Sequence, residues 1–232
     1  MQLFYTPDIA TNPELPKEEA GHCVRVLRLT EGDEIQLTDG KGSFYKAAIT
    51  SAHAKHCMVS ILEETVQEPL WNFRLHIAIA PTKNMDRLEW FIEKATEIGI
   101  DAITCVKCDH SERKDVKLPR LEKTAISAMK QSLKARLPEI SEMLTFKELV
   151  KLPFEGRKFI AHCDEGSKKL LKETYIAGEN AFILIGPEGD FSPEEISLAL
   201  AHGFEPISLG ESRLRTETAA LVACHTLHVL NQ

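Results

Sequence analysis

Two glycine-bearing loops hold the residues best placed to do chemistry. The run Ala181-Phe-Ile-Leu-Ile185 is a continuous apolar strand that breaks into Gly186-Pro-Glu-Gly189, and Ser192-Pro-Glu-Glu195 then opens a helix. Ser192 as N-cap, Pro193 at the first helical position and Glu195 three beyond the cap form a capping box. The second loop follows the same plan: Ile207-Ser-Leu209 ends in Gly210, and Glu211 to Arg215 lead into an apolar C-terminal helix from Thr216. In open α/β sheets ligands bind outside the carboxyl ends of the strands, where such turns lie. Glycine there lets a ligand approach backbone N–H and C=O groups. Neither loop is a dinucleotide fingerprint or a P-loop, since G-x-G-x-x-G and G-x-x-x-x-G-K-[S/T] are both absent, so nicotinamide chemistry and NTP hydrolysis lose support. A purely structural turn is the alternative reading of each loop.

The elements that carry these loops can be read from periodicity. Residues 1 to 68 give short strands and turns: Glu34–Thr38, the turn Asp39-Gly-Lys-Gly42, Phe44–Thr50 and Met58–Leu62, with no long helix, which predicts a small β-barrel or sandwich. Val66 to Trp71 reads as a linker, and a second domain runs from residue 72 to 232. There the apolar runs Leu75–Ala80, Ile103–Val106, Lys158–His162, Ala181–Ile185 and Pro206–Leu209 alternate with helical patterns, predicting a mostly parallel α/β sheet. Leu88, Phe91, Ile92 and Ala95 form the inner face of one helix that stops at Gly99. If that helix starts early, Lys83, Arg87 and Lys94 line its outer side. Leu121, Ala125, Ala128 and Met129 face inward on the next helix, with Arg120, Lys123, Lys130 and Lys134 outward.

With 232 residues, 43% hydrophobic and 27% charged, the chain can bury a sizeable core and has no compositional mark of disorder. A net charge of -7 argues against a nonspecific nucleic-acid or membrane binder. Between Lys107 and Arg136, however, positives exceed negatives by five. The apolar runs are too short to cross a bilayer and the start lacks the pattern of an export signal, so a cytosolic protein with free thiols is expected. Cys105, Cys108 and His110 lack a matching second pair, and no metal site is predicted.

The ordered set Gly186-Pro-Glu-Gly189, Leu209-Gly210 and Leu214-Arg-Thr-Glu-Thr-Ala219 resembles the cofactor loops of the SPOUT methyltransferases. Lys83, Asp86 to Gly99, Ser111-Glu-Arg113, Gln131-Ser132, and His22 to Leu29 with Gly32-Asp33 extend the likeness over nearly the whole chain, to the RsmE family. That family methylates N3 of a uridine in the 16S RNA of the small ribosomal subunit. The resemblance implies a PUA-like N-terminal barrel, a C-terminal α/β domain with a trefoil knot of which periodicity gives no sign, and a homodimer. It implies S-adenosylmethionine held by His162, Ile185, Gly186, Glu188, Gly189, Leu209, Gly210, Leu214, Thr216 and Ala219. Arg215 and Glu217 are the implied catalytic pair, the cation facing the developing uracil anion and the carboxylate orienting it or accepting a proton, with Glu188 a rival base. Glu217 could equally serve the helix N-terminus. RNA contacts fall to Arg25, Arg28, Lys83, Arg87, Lys94, Arg113, Lys134 and Arg136. Two competing readings are a SPOUT ribose 2'-hydroxyl methyltransferase and a noncatalytic RNA-binding assembly factor.

Overall fold

The computed structural model describes residues 2–163 and 168–232, in two compact units. The first comprises the chain up to Pro69 together with residues 126–137. Strand β1 (Leu3–Tyr5) runs parallel to β2 (Glu34–Thr38), which pairs antiparallel with β3 (Ser43–Ser51), itself antiparallel to β4 (Met58–Val66). The outer edge of β4 is partly covered by the chain around Glu14, with Leu15 N donating to Cys57 O at 2.9 Å and Val59 N to Pro13 O at 2.9 Å. Phe4, Ile9, Leu15, Leu37, Ala47 and Ile49 form its core.

A short helical element that the strand-and-turn reading did not include lies between β1 and β2. Helix α1 (Lys17–Gly21) runs straight into a π-helical turn, His22–Val26. Only Ala20 and Cys23 along it are buried, so the apolar positions are too few and too close to register as a helical period. The turn at Asp39 is built by its own carboxylate, whose Oδ1 accepts from Lys41 N at 2.7 Å and from Gly42 N and Ser43 N at 3.1 Å. Residues 135–137 pair with that turn: Gly42 N donates to Ala135 O at 2.9 Å and Leu137 N to Gly40 O at 2.9 Å.

The second unit is a seven-stranded sheet in which every pairing is parallel. In chain order its elements are β5 (Leu75–Ile79), α2 (Met85–Ile98), β6 (Ala102–Lys107), α3 (Leu118–Gln131, whose last residues belong to the first unit), β7 (Glu139–Thr145), α4 (Phe146–Leu149), β8 (Arg157–Ala161), β9 (Lys169–Leu170), α5 (Leu171–Thr174), β10 (Ala181–Ile185), α6 (Pro193–Ala201), β11 (Glu205–Ser208) and α7 (Thr216–Leu230). The strand order is β7-β6-β5-β10-β8-β11-β9. A late strand, β10, thus lies between β5 and β8 and is buried along its whole length. That position explains its unbroken apolar run.

Helix α2 buries Leu88, Phe91, Ile92 and Ala95, the predicted face, but starts at Met85 with Asn84 as its N-cap. Lys83 therefore precedes the helix, and the three-residue basic stripe does not form. At its other end Gly99 has φ 138°, and a Cβ there would stand 2.7 Å from both the Trp71 and His228 rings. His228 Nε2, near the end of α7, donates to Gly99 O at 2.7 Å. The two helices are fastened at this glycine.

His76 lies half-buried on one face of the sheet, stacked on Phe182 at 4.1 Å between centroids and 2.8 Å from the Thr104 hydroxyl. Burial, helped by the nearby Arg74 cation, pushes its imidazole down to about 4. The unfolded chain takes up a proton near pH 6.5 that the folded chain refuses, so stability held above pH 6.5 declines as the pH falls toward 4. The expected loss is about 2–3 kcal/mol. Urea midpoints of His76→Gln between pH 7 and 5 should lack this slope; an unchanged slope would remove His76 as its cause.

Candidate active site at the carboxyl edge of the parallel sheet

Because all the strands of the second unit run the same way, the loops leaving β5, β6, β8, β10 and β11 emerge at one edge, beyond the last rungs of the ladder. Their backbone groups need other partners there. The loops supply them to one another. Lys83 N, after β5, donates to Glu188 Oε1 at 3.1 Å in the Gly-Pro-Glu-Gly turn after β10. Arg113, after β6, donates to Lys83 O at 2.8 Å and Thr82 O at 3.3 Å. His110 Nδ1 donates to Gly189 O and Asp190 O, each at 3.0 Å.

The same turn is tied down on its far side. The capping box at the start of α6 is present, with Ser192 Oγ accepting from Glu195 N and the Glu195 carboxylate accepting from Ser192 N at 2.9 Å. Glu195 also accepts from Asp109 N at 2.9 Å, and Ser192 Oγ donates to Asp109 Oδ2 at 2.7 Å. Burial pushes the Glu195 carboxyl up, against the pull of the N–H donors. Its work is structural. The glycines are explained by space: a Cβ on Gly186 would stand 3.0 Å from the Phe191 ring, and one on Gly189 would stand 3.1 Å from His110 Cβ.

Beside this junction, where β8 and β11 end, a cavity of about 630 Å³ opens, walled by Ala161, His162, Cys163 and Lys168 on one side and by Ile207 to Leu214 with Ala219 on the other. Gly210 has φ 131° and a Cβ there would meet nothing within 4 Å, so the backbone faces open space. Lys168 Nζ donates to His162 O at 2.8 Å.

The predicted cofactor residues divide between these places. His162, Leu209, Gly210, Leu214 and Ala219 line the cavity. Ile185 is buried at the end of β10, its carbonyl accepting from Ala80 N at 3.0 Å, and Thr216 is buried at the start of α7. Gly186, Glu188 and Gly189 belong to the loop junction. Cys163, Lys168, Ser208, Glu211, Ser212 and Arg213 also line the cavity and were not foreseen. The stretch between Gly210 and Leu214 could have been included as a whole; Cys163 and Lys168 carried no signal beyond their nearness to His162.

Arg215 is exposed as the N-cap of α7, where its carbonyl accepts from Ala219 N at 2.8 Å. Glu217 is buried in the first turn of that helix, 3.8 Å from Arg87 Nε of α2. The two therefore differ sharply in access.

The predicted RNA cations divide as well. Arg25 and Arg28 are exposed in and after the π-helical turn, Arg28 with φ 57°. Arg136 is exposed and its Nη1 donates to Lys41 O at 3.2 Å. Lys134 is 8% exposed, which removes it from the surface: the chain after α3 turns to pair with the Asp39–Gly42 turn of the same unit instead of continuing a helix. Lys83 pairs with Glu112 at 3.0 Å, Lys94 with Glu93 and Glu97 at 2.7 and 2.9 Å, and Arg87 and Arg113 are engaged as described. Cys105 and Cys108 are both buried, and burial pushes both thiols up.

Comparisons with known proteins bear on both units. A family model described as an RNA methyltransferase domain matches residues 69–228, and one described as an RNA methyltransferase PUA domain matches residues 15–62. A probable rRNA-methyltransferase from Porphyromonas gingivalis is 48% identical with a TM-score of 0.94, covering 100% of this chain and 98% of its own. The ribosomal RNA small subunit methyltransferase E of Neisseria gonorrhoeae, solved bound to S-adenosyl methionine, is 27% identical with a TM-score of 0.87 over 100% of this chain and 98% of its own. The Synechocystis protein of the same name is 30% identical over 99% of this chain and 77% of its own length. With both units matched in order, and the loops that build the cavity inside the matched region, the chain belongs to the ribosomal RNA small subunit methyltransferase E family of RNA methyltransferases.

Proposed function

We propose that this protein uses S-adenosylmethionine to methylate N3 of a uridine in the 16S RNA of the small ribosomal subunit. The observation that carries this is the cavity at the ends of β8 and β11, in a chain whose relatives of both units are small-subunit rRNA methyltransferases. Its volume of about 630 Å³ suits a small-molecule site. Gly210 leaves backbone open to a ligand, and Leu209, Leu214 and Ala219 supply apolar walls. His162, Leu209, Gly210, Leu214 and Ala219 would hold the cofactor, with Gly186, Glu188 and Gly189 fixing the loop beside them. Bound S-adenosylmethionine supplies an electrophilic methyl group on a sulfonium.

The chain's own residues then have to orient the uracil and manage the N3 proton. Arg215, exposed at the start of α7, stabilises the negative charge that develops on the uracil oxygens as N3 loses its proton. Glu217, buried beside Arg87, keeps α7's first turn and that arginine in place. Glu188 is exposed and anchored through one oxygen to Lys83 N, which suits it better to accept the proton.

RNA is held through Arg25, Arg28 and Arg136, whose positions are exposed, with Lys83, Arg87, Lys94 and Arg113 contributing field from within their pairs. A homodimer is the proposed assembly: Val229 on α7 is 52% exposed, an apolar residue on the helix that also starts at the cavity. The activity belongs in the cytoplasm, with the ribosome; among the described residues no helix is long and apolar enough to cross a membrane.

Two sets of variants test this reading. Arg215→Ala should lower kcat by about 100-fold with the melting temperature unchanged, and Glu188→Gln, which keeps an acceptor for Lys83 N, should lower it at least ~10-fold. Unimpaired single-turnover rates would remove either residue from the mechanism. Arg25→Ala with Arg28→Ala should flatten the slope of log K for rRNA against log salt by about one per side chain; an unchanged slope would place the RNA elsewhere.

A further inference from the structure

Asp190, the residue after the Gly-Pro-Glu-Gly turn, has φ 62°, a left-handed backbone conformation uncommon outside glycine. Its carboxylate is divided between two tasks. Oδ1 accepts locally from Phe191 N at 2.9 Å, and Oδ2 accepts from Cys163 N at 2.6 Å, a group 27 residues away in sequence. The main-chain oxygen of Asp190 accepts from His110 Nδ1 at 3.0 Å. One residue thus joins the loops after β6, β8 and β10.

The bond to Cys163 is the informative one. Strand β8 has its last rungs at Ala161, which pairs with Ile185 on one side and Ile207 on the other. Beyond that rung the chain must leave the sheet, and its direction sets where His162 and Cys163 stand in the cavity wall. A turn-forming role alone needs no bond beyond the local one to Phe191 N, and the left-handed backbone by itself would be met with less strain by glycine. The second bond is charge-assisted, since its acceptor is a carboxylate.

We propose that Asp190 is a positioning residue of the cofactor site: through Cys163 N it fixes the exit of β8 as one wall of the cavity and locks that wall to the Gly-Pro-Glu-Gly turn. The inference rests on the reading of that cavity as the S-adenosylmethionine site. It makes the shape of that wall depend on the turn that is itself held by the loops carrying Lys83, His110 and Arg113.

The test is Asp190→Gly in the full-length protein, which suits the left-handed backbone and removes both carboxylate bonds, so exchange at Cys163 is read alongside affinity. S-adenosylmethionine affinity is measured by calorimetry, amide hydrogen exchange is followed in the peptide containing Cys163 without cofactor, and the melting temperature is recorded. The expected result is a melting temperature within about 3 °C of wild type, faster exchange at Cys163, and a Kd raised about five- to tenfold. Asp190→Asn, which tolerates the same backbone and keeps one acceptor oxygen, should fall between. If glycine destabilises the fold, the asparagine variant decides: unchanged Kd and unchanged exchange in it would overturn the proposal, as they would in the glycine variant. Wild-type protein that binds no S-adenosylmethionine would instead overturn the reading of the cavity itself, and this proposal with it.

Discussion

Everything at the candidate site follows from one constraint: an all-parallel sheet delivers its strand ends to a single edge, where the ladder stops and the backbone still has donors and acceptors to satisfy. Here they are satisfied between loops. Lys83 N on Glu188, Arg113 on Lys83 O and Thr82 O, His110 on Gly189 O and Asp190 O, and Cys163 N on Asp190 make the turns after β5, β6, β8 and β10 one connected piece. The position of β10 between β5 and β8 brings those turns together, and the cavity opens where β8 and β11 end beside them. Many of the polar residues at this edge are framework, and the cavity is the space the framework leaves.

Internal pairing also shapes the electrostatics. An acidic chain with a basic stretch invites the view that each cation is offered to RNA. Lys83, Arg87, Lys94 and Arg120 each have a carboxylate within 4 Å, so their charge is partly spent inside the protein. Arg25 and Arg28 differ: Arg25 stands exposed in the π-helical turn and Arg28, left-handed, just after it, beside exposed Val26 and Leu27. Helical segments of this kind often occur at functional sites. As the RNA contacts proposed above, a small number of such cations on a negative body would give selectivity for a shaped RNA, with repulsion elsewhere.

Much of the fold was legible because period and punctuation agreed. The strand Ala181–Ile185, the capping box from Ser192 to Glu195 and the inner face of α2 appear as read. Strand β7 and the short β9 were not foreseen, because Glu139–Thr145 mixes charged and apolar residues and a two-residue strand has no period. Helix α1 and the π turn were hidden by their shortness. At the site, the loop from Leu209 to Ala219 was recognisable from its residues, whereas Cys163 and Asp190 act through one long-range hydrogen bond that no spacing encodes. Lys134 misled for a related reason: whether a basic residue after a helix is exposed depends on where the chain turns next, and here it turns to pair with Gly40 and Gly42.

The product of the reaction decides what this protein does. Purified protein incubated with labelled S-adenosylmethionine and, separately, small ribosomal subunits, large subunits and transfer RNA, followed by nucleoside mass spectrometry, reads it directly. N3-methyluridine is expected, and only from small subunits. A ribose-methylated nucleoside, label in transfer RNA or large subunits, or cofactor binding with no product on any of the three would contradict it.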